Sequence, residues 1–266
     1  MGADIKKLRT RIKSVDSTLH LTKAMGLVAS SKIRKATEMM NKSNEYLGAF
    51  KNVLDMLCAC EECKRSPYLE KRDSEKLCLI VIAGDRGLAG GYNANVFRLQ
   101  KEYDAQKIYA IGKRACEKYS APIELAESFS YEKAFDMAKE ILSGFLNHEF
   151  DKVAIVRTKY LSIMSQEAQI RWILPFEKSD VKSRSILFEP DEQTILESVI
   201  YEYVASLILA SVRESYASEV AARRFAMDSA GKNAQQMLDD LHLRYNRARQ
   251  GAITQEITEI VAGSDQ

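Results

Sequence analysis

The chain has 266 residues, 46% of them hydrophobic and 29% charged, with a net charge of +2. That is ample for a buried core in one or two domains, and it gives no whole-chain bias toward a polyanion such as nucleic acid. No run of about 18 apolar residues is present to span a bilayer, and no apolar secretory segment opens the sequence, so a cytosolic chain is expected.

Proline divides the sequence. Its four copies are Pro67, Pro122, Pro175 and Pro190, so residues 1–66 and 191–266 contain none. Proline breaks helix interiors, and two long proline-free ends invite long helices. At the first end, steps of three and four residues run from Ile5 through Leu8, Ile12, Val15, Leu19, Thr22, Gly26, Ala29, Ile33, Ala36, Met40, Ser43, Leu47, Phe50 and Leu54 to Leu57. Thirteen of these sixteen are apolar and the rest are small. A 3.5-residue repeat of about eight heptads predicts a coiled-coil helix roughly 80 Å long. Thr22, Gly26, Ala29 and Ala36 make the middle of the seam narrow. Residues 1–35 carry nine Lys or Arg against Asp4 and Asp16. Without interleaved aromatics, this basic stripe reads as a solvated or protein-facing surface rather than a nucleic-acid site.

The five cysteines are Cys58, Cys60, Cys63, Cys78 and Cys116. A zinc site would need Cys58, Cys60, Cys63 and Cys78 together. The simpler expectation is that Cys58 and Cys60 close the first helix and Cys78 lies in a buried strand. The middle of the chain reads as α/β. Leu77–Ala83, Lys107–Ile111 and Val153–Val156 are strand-like, and helical patterns follow Asn93 and cover Tyr131–Leu146. Ala168–Leu174 would add an antiparallel edge to a small, largely parallel sheet.

Gly84–Asn93 (GDRGLAGGYN) follows the first strand and precedes a helix, where α/β folds bind phosphates. Its spacing is neither GxGxxG nor a Walker loop, and no Lys-Ser or Lys-Thr follows the glycines. The glycines are equally explained by a tight turn and close helix packing. His20, His148 and His242 are scattered, and no nucleophile has an evident base, so no catalytic, cofactor or metal set is expected.

The last end carries a stripe of Leu196, Ile200, Tyr203, Leu207 and Ala210, then an Ala/Ser-rich stretch over 205–230. A second stripe follows at Leu238, Leu241, Tyr245, Ala248 and Ala252, and Ile253, Ile257 and Ile260 continue it after a one-residue shift. Two long helices at opposite ends are natural antiparallel partners.

The ends also carry a resemblance. Residues 5–35, with Ile12-Lys13-Ser14-Val15, Thr22-Lys23-Ala24-Met25 and Val28-Ala29-Ser30-Ser31-Lys32, resemble the opening of ATP synthase gamma subunits. Residues 245–263 (YNRARQGAITQEITEIVAG) resemble the family's closing motif. Between them the glycine loop, Met164-Ser165-Gln166-Glu167, Leu187-Phe188-Glu189-Pro190-Asp191 and Ser218-Glu219-Val220-Ala221-Ala222-Arg223 match in order. Departures stand at Gly26, where the family often has a charge, at Ala89, often Cys, and at Val220, often His. The inserted cysteine segment of photosynthetic versions is missing, so thiol-gated regulation is not expected.

The resemblance implies an α/β protein: a long antiparallel coiled coil of the N- and C-terminal helices plus a Rossmann-like α/β domain. The expected division is 1–60, 61–185 and 186–266. It further implies the rotor shaft of a proton- or sodium-driven ATP synthase, without cofactors, on the cytoplasmic face of a bacterial plasma membrane. The shaft turns inside a hexamer of alpha and beta subunits and joins the epsilon subunit and the c ring at its base. By the same resemblance Arg249, Gln250 and Thr254 face beta-subunit loops, with Met25 and Arg223 near the same zone. Ile186, Phe188, Glu189 and Asp191 lie near the c ring. A nucleotide-binding α/β enzyme with coiled-coil arms, or an unrelated coiled-coil scaffold, are the competing readings. The shaft subunit of V/A-type ATPases fits less well, because it does not share the α/β middle and the closing motif.

Overall fold

A computed structural model describes residues 2–60, 63–72, 76–177 and 188–264. Two long helices, α1 (Gly2–Ala59) and α5 (Glu192–Ser264), bracket an α/β segment. The chain forms two compact units, Met1–Ala29 with Arg223–Gln266, and Ser30–Ala222.

In the unit made from the two ends, α1 and α5 run antiparallel. The added Cβ of Gly26 would lie 3.7 Å from Met227 Cβ, and that of Gly231 3.6 Å from the Thr22 hydroxyl. Leu19 packs with Ala234 and Leu238, supported by Ile12 and Val15. These pairs share one register, in which residue i faces residue 253 − i. All sixteen positions of the predicted seam are buried or half-buried, while the residues between them are mostly exposed. The same register places Gly2 opposite Gly251. Ile253, Ile257 and Ile260 therefore have no described α1 residue across from them, and they remain 48%, 56% and 66% exposed. The shifted stripe does not continue the intrachain seam.

The larger unit holds a four-stranded sheet in the order β2-β1-β3-β4. Strands β1 (Leu77–Ile82), β2 (Lys107–Ile111) and β3 (Lys152–Tyr160) are parallel, and β4 (Gln166–Leu174) is the antiparallel edge. Every residue of β1 is buried, because both sheet faces are covered. On one face Leu79, Val81 and Val156 meet Val96 of α2 (Tyr92–Gln100) and Ala115 and Cys116 of α3 (Lys113–Tyr119). On the other, Ile80, Ile82 and Ile155 join α4 (Tyr131–Leu146), the second half of α1 and the first half of α5 through Ile141, Leu57 and Leu196. Each such fully buried aliphatic side chain is worth about 1.5–3 kcal/mol. An 18-residue window of α5 is apolar enough to cross a bilayer by composition, but 67% of it is buried here. It is a core helix.

Strand β3 extends four polar-to-aromatic residues beyond the predicted Val153–Val156, since Arg157 and Thr158 are buried against α5. Cys58 is buried near the end of α1 and Cys78 within β1, and burial pushes both thiols up to about 12. Among the described residues no group of His, Cys, Asp or Glu is placed to hold a metal ion. Arg72 closes α4: its guanidinium donates to the carbonyls of Phe145 at 2.7 Å and Phe150 at 3.3 Å, a cation at a helix C-terminus.

Gly26 costs α1 about 1 kcal/mol of helix propensity relative to alanine. The 3.7 Å to Met227 Cβ is ordinary van der Waals contact, so a methyl fits. Gly26→Ala is expected to raise the thermal midpoint by about 2–4 °C. A lowered midpoint in calorimetry would show that the seam has no room there.

Candidate functional site

The glycine loop follows β1 at the sheet's carboxyl edge. Strand order reverses around β1, so this edge is the topological switch point at which open α/β sheets bind ligands. Here α5 lies across it. Ser218 stands four residues from Glu214 and three from Ser215, and Glu219 four from Ser215, so the four line one side of the helix. Arg157 of β3 is ion-paired with Glu214, whose other oxygen accepts from the Tyr160 amide at 3.2 Å. The Thr158 amide donates to the Ser215 hydroxyl at 3.1 Å, and the Ser218 hydroxyl donates to the Thr158 carbonyl at 3.3 Å. The Tyr92 hydroxyl donates to the Ser215 carbonyl at 2.9 Å. Its burial, with Glu219 nearby, pushes the phenol well above its ordinary range.

The loop itself receives Glu219, which is 1% exposed. The amides of Asp85 and Arg86 each donate to one of its carboxylate oxygens at 3.2 Å. The neighbouring Gly84 amide donates to Asn93 at 2.8 Å. Glycine is required at Gly84, where a Cβ would come within 2.9 Å of the Glu219 carboxyl carbon. Asp85, also buried, accepts from the amides of Lys113, Ala126 and Glu127 at 3.2, 2.9 and 2.8 Å. Gly112 permits this crossing: its φ is +89° and a Cβ would fall 1.9 Å from the Ala83 carbonyl oxygen. The Glu127 carboxylate then takes Lys32 of α1 at 2.5 Å and Arg86 at 3.5 Å. One loop is thus tied to both long helices. In the sequence alone, Glu219 is part of the Ser218–Arg223 motif and has no visible role. The available signal was Glu214 and Glu219 in a helical stretch whose other residues are mostly small or apolar, with Arg213 and Tyr216 beside them.

The resemblance-derived residues fall into separate groups. Met25 and Arg223 are half-buried, and Arg249, Gln250 and Thr254 are exposed. The Thr254 hydroxyl donates to the Gln250 carbonyl at 3.0 Å. In the 253 − i register Met25 faces Asp228, and at 1.5 Å per residue Arg249 lies roughly 30 Å further along the pair. The structure therefore sets these residues at two levels rather than one. Ile186 lies outside the described residues. Phe188 packs on the core, and Glu189 is exposed. Asp191 is a helix cap: it accepts the Thr194 amide at 2.9 Å and hydroxyl at 2.8 Å. Those bonds hold its carboxyl below the ordinary range.

Long terminal helices paired along a narrow seam, and an α/β domain whose switch-point loop is filled by the chain's own Glu219, are the parts of a stalk-type protein. A sequence model of the family described as ATP synthase matches residues 4–265, and the ATP synthase gamma chain of Ruminococcus albus is 40% identical over 98% of both chains. This chain belongs to the ATP synthase gamma-chain family. The sodium-ion-specific ATP synthase gamma chain of Acetobacterium woodii is 34% identical, covering 100% of this chain and 99% of its own. In fold, the chain is similar to one in the OSCP/F1/c-ring structure of Euglena gracilis mitochondrial ATP synthase. The TM-score there is 0.68 at 19% identity, over 98% of this chain and 94% of that one.

Burial would raise the Glu127 carboxyl, but hydrogen bonds from Lys32 and Tyr216 and the charges of Lys32 and Arg86 hold it low. A hydrogen bond from Tyr109, opposed by burial and helped by Lys107, lowers Glu140. Carboxyls depressed on folding contribute stability above their unfolded values, near 4.3 for Glu, and lose it as pH falls through the folded ones. Urea midpoints should be level above about pH 5 and fall steadily below pH 4. Lys32→Met should shallow that fall while costing no more than about 1 kcal/mol at neutral pH, the range of partly exposed pairs. A midpoint that rises on acidification would contradict the assignment.

Proposed function

We propose that this gamma chain works as a non-catalytic shaft on the cytoplasmic face of a bacterial plasma membrane. It turns within the alpha and beta subunits and is seated with the epsilon subunit on the c ring. Membrane association is peripheral and runs through the complex. Ion flow turns the ring, the α/β domain is carried with it, and the paired helices present different faces to successive beta subunits. ATP is made or hydrolysed in the beta subunits. The observation that carries the non-catalytic reading is Glu219 in the glycine loop: the amides a nucleotide phosphate would need are already bonded to a carboxylate of the chain itself.

The physical demands on a shaft agree with this reading. Two helices joined along a seam resist twisting better than one. Narrow seam pairs such as Gly26 with Met227 keep the coil slim. The exposed Ile257, Ile260 and Val261 suit an apolar bearing. Exposed Arg249, Gln250 and Thr254 are assigned to transient, charge-assisted contacts with beta-subunit loops, which must form in one dwell and release in the next. Met25 and Arg223 serve a second contact level. At the ring end, exposed Glu189 is the acidic group for polar ring loops, with Ile186, Phe188 and Asp191 beside it in sequence. Phe188 and Asp191 also anchor the start of α5.

Purified alone, the chain should hydrolyse no ATP above background, and adding it to alpha and beta subunits should yield steady-state ATPase activity. Turnover by the chain alone, freed of beta subunit, would overturn the reading. In the reconstituted complex, Arg249→Ala combined with Gln250→Ala should lower both assembly and ATPase rate. Wild-type behaviour in both assays would make these two residues bystanders.

A further inference from the structure

We propose that the loop Gly84–Gly91 is a carboxylate receptor whose ligand is internal. Glu219 docks there as an anion, at the place where this fold class takes free ligands, and so pins α5 to the α/β domain as a mechanical joint. Three observations converge. The loop sits at the switch point of the sheet, outside the carboxyl end of β1. Two consecutive amides, of Asp85 and Arg86, address the two oxygens of one carboxylate, each at 3.2 Å. The approach is possible only because position 84 has no side chain.

The joint extends to the other long helix. Asp85 is held by three amides, one of them from Glu127, and Glu127 takes Lys32 of α1. A load applied to the α/β domain therefore reaches α5 through Glu219 and α1 through Glu127. The Glu219 connection is the buried one, and charge-assisted bonds of a buried carboxylate are stronger than those of an exposed pair. Its role as a joint rests on the shaft reading of the chain; its chemistry as a receptor does not.

The test uses the full-length chain. Glu219→Gln keeps the volume but turns an N–H toward one of the two amides, so its thermal midpoint should drop by roughly 2–12 °C. Glu219→Ala removes the carboxylate and leaves its space. Sodium formate should raise the midpoint of that variant saturably over sodium chloride at equal ionic strength. It should do so for neither wild type nor Glu219→Gln, in which the space is filled. If Glu219→Ala does not fold unaided, refolding yield in formate against chloride is read instead. Gly84→Ala should destabilise wild type more than the Glu219→Ala background, where the 2.9 Å collision has gone and only the 3.1 Å approach to Asn93 Oδ1 remains. Formate no better than chloride, or additive Gly84 and Glu219 effects, overturns the receptor. In the reconstituted complex, Glu219→Gln should lower ions pumped per ATP hydrolysed. An unchanged ratio overturns the joint, whereas a wild-type complex that needs no gamma chain for turnover overturns the shaft reading instead.

Discussion

The pairing of the chain's first helix with its last is the constraint on which the remaining architecture depends. Each helix carries a weak helix former at the seam, Gly26 in α1 and Gly231 in α5. Gly26, Gly231 and the Ala/Ser-rich part of α5 sacrifice side-chain burial for close approach. A glycine in a helix is tolerated only when tertiary contact supplies what local preference lacks. The contacts of Gly26 with Met227 and of Thr22 with Gly231 show where that support comes from. A methyl fits at Gly26, but side chains well beyond alanine at these positions would separate the axes.

The α/β segment illustrates why a fold does not carry a function with it. Its strand order, its loop after β1 and its helix following that loop all correspond to a ligand-binding arrangement. What differs is the occupant. Glu214, Ser215 and Glu219 of α5 accept from the amides at the carboxyl edge of β1 and β3, and Ser218 donates to a carbonyl there. The polar groups that would otherwise specify a small molecule specify a helix instead. Leaving any one of those buried amides without an acceptor would cost about 1–3 kcal/mol, so the helix position is tightly prescribed.

Much of this was legible in the sequence, for identifiable reasons. The seam was readable because a repeat of 3.5 leaves a mark at every step, and the run Leu77–Ile82 because burial on both faces removes alternation. Helix α3 was not readable: Lys113–Tyr119 is short, carries little periodicity and is fixed by Gly112 and the Asp85 bonds. The end of β3 was missed because Arg157 and Thr158 look solvent-facing until α5 supplies polar partners. Ile253, Ile257 and Ile260 continue an apolar period in the sequence, but register decides whether a period finds a partner. The resemblance places Asp191 near the ring, and its cap role has no separate signal because an exposed acid and a helix cap call for the same side chain. The bonds to Thr194 reveal the cap.

The antiparallel register has a consequence for how the molecule comes into being. Residue i meets residue 253 − i, so the seam of α1 has no partner until the chain is almost completely synthesised. Between the last residue of α1 and the first of α5 lie more than a hundred residues. At ribosomal speeds of about 5–20 residues per second, the apolar stripe from Leu8 to Leu57 waits on the order of ten seconds for its mate. During that wait an uncovered heptad stripe can pair with another copy of itself. In a parallel self-pair the basic flanks of residues 6–35 would lie side by side, and their like charges disfavour it. The same flank that marks the finished coil therefore sets a charge cost on pairing α1 with a second copy of itself before α5 arrives.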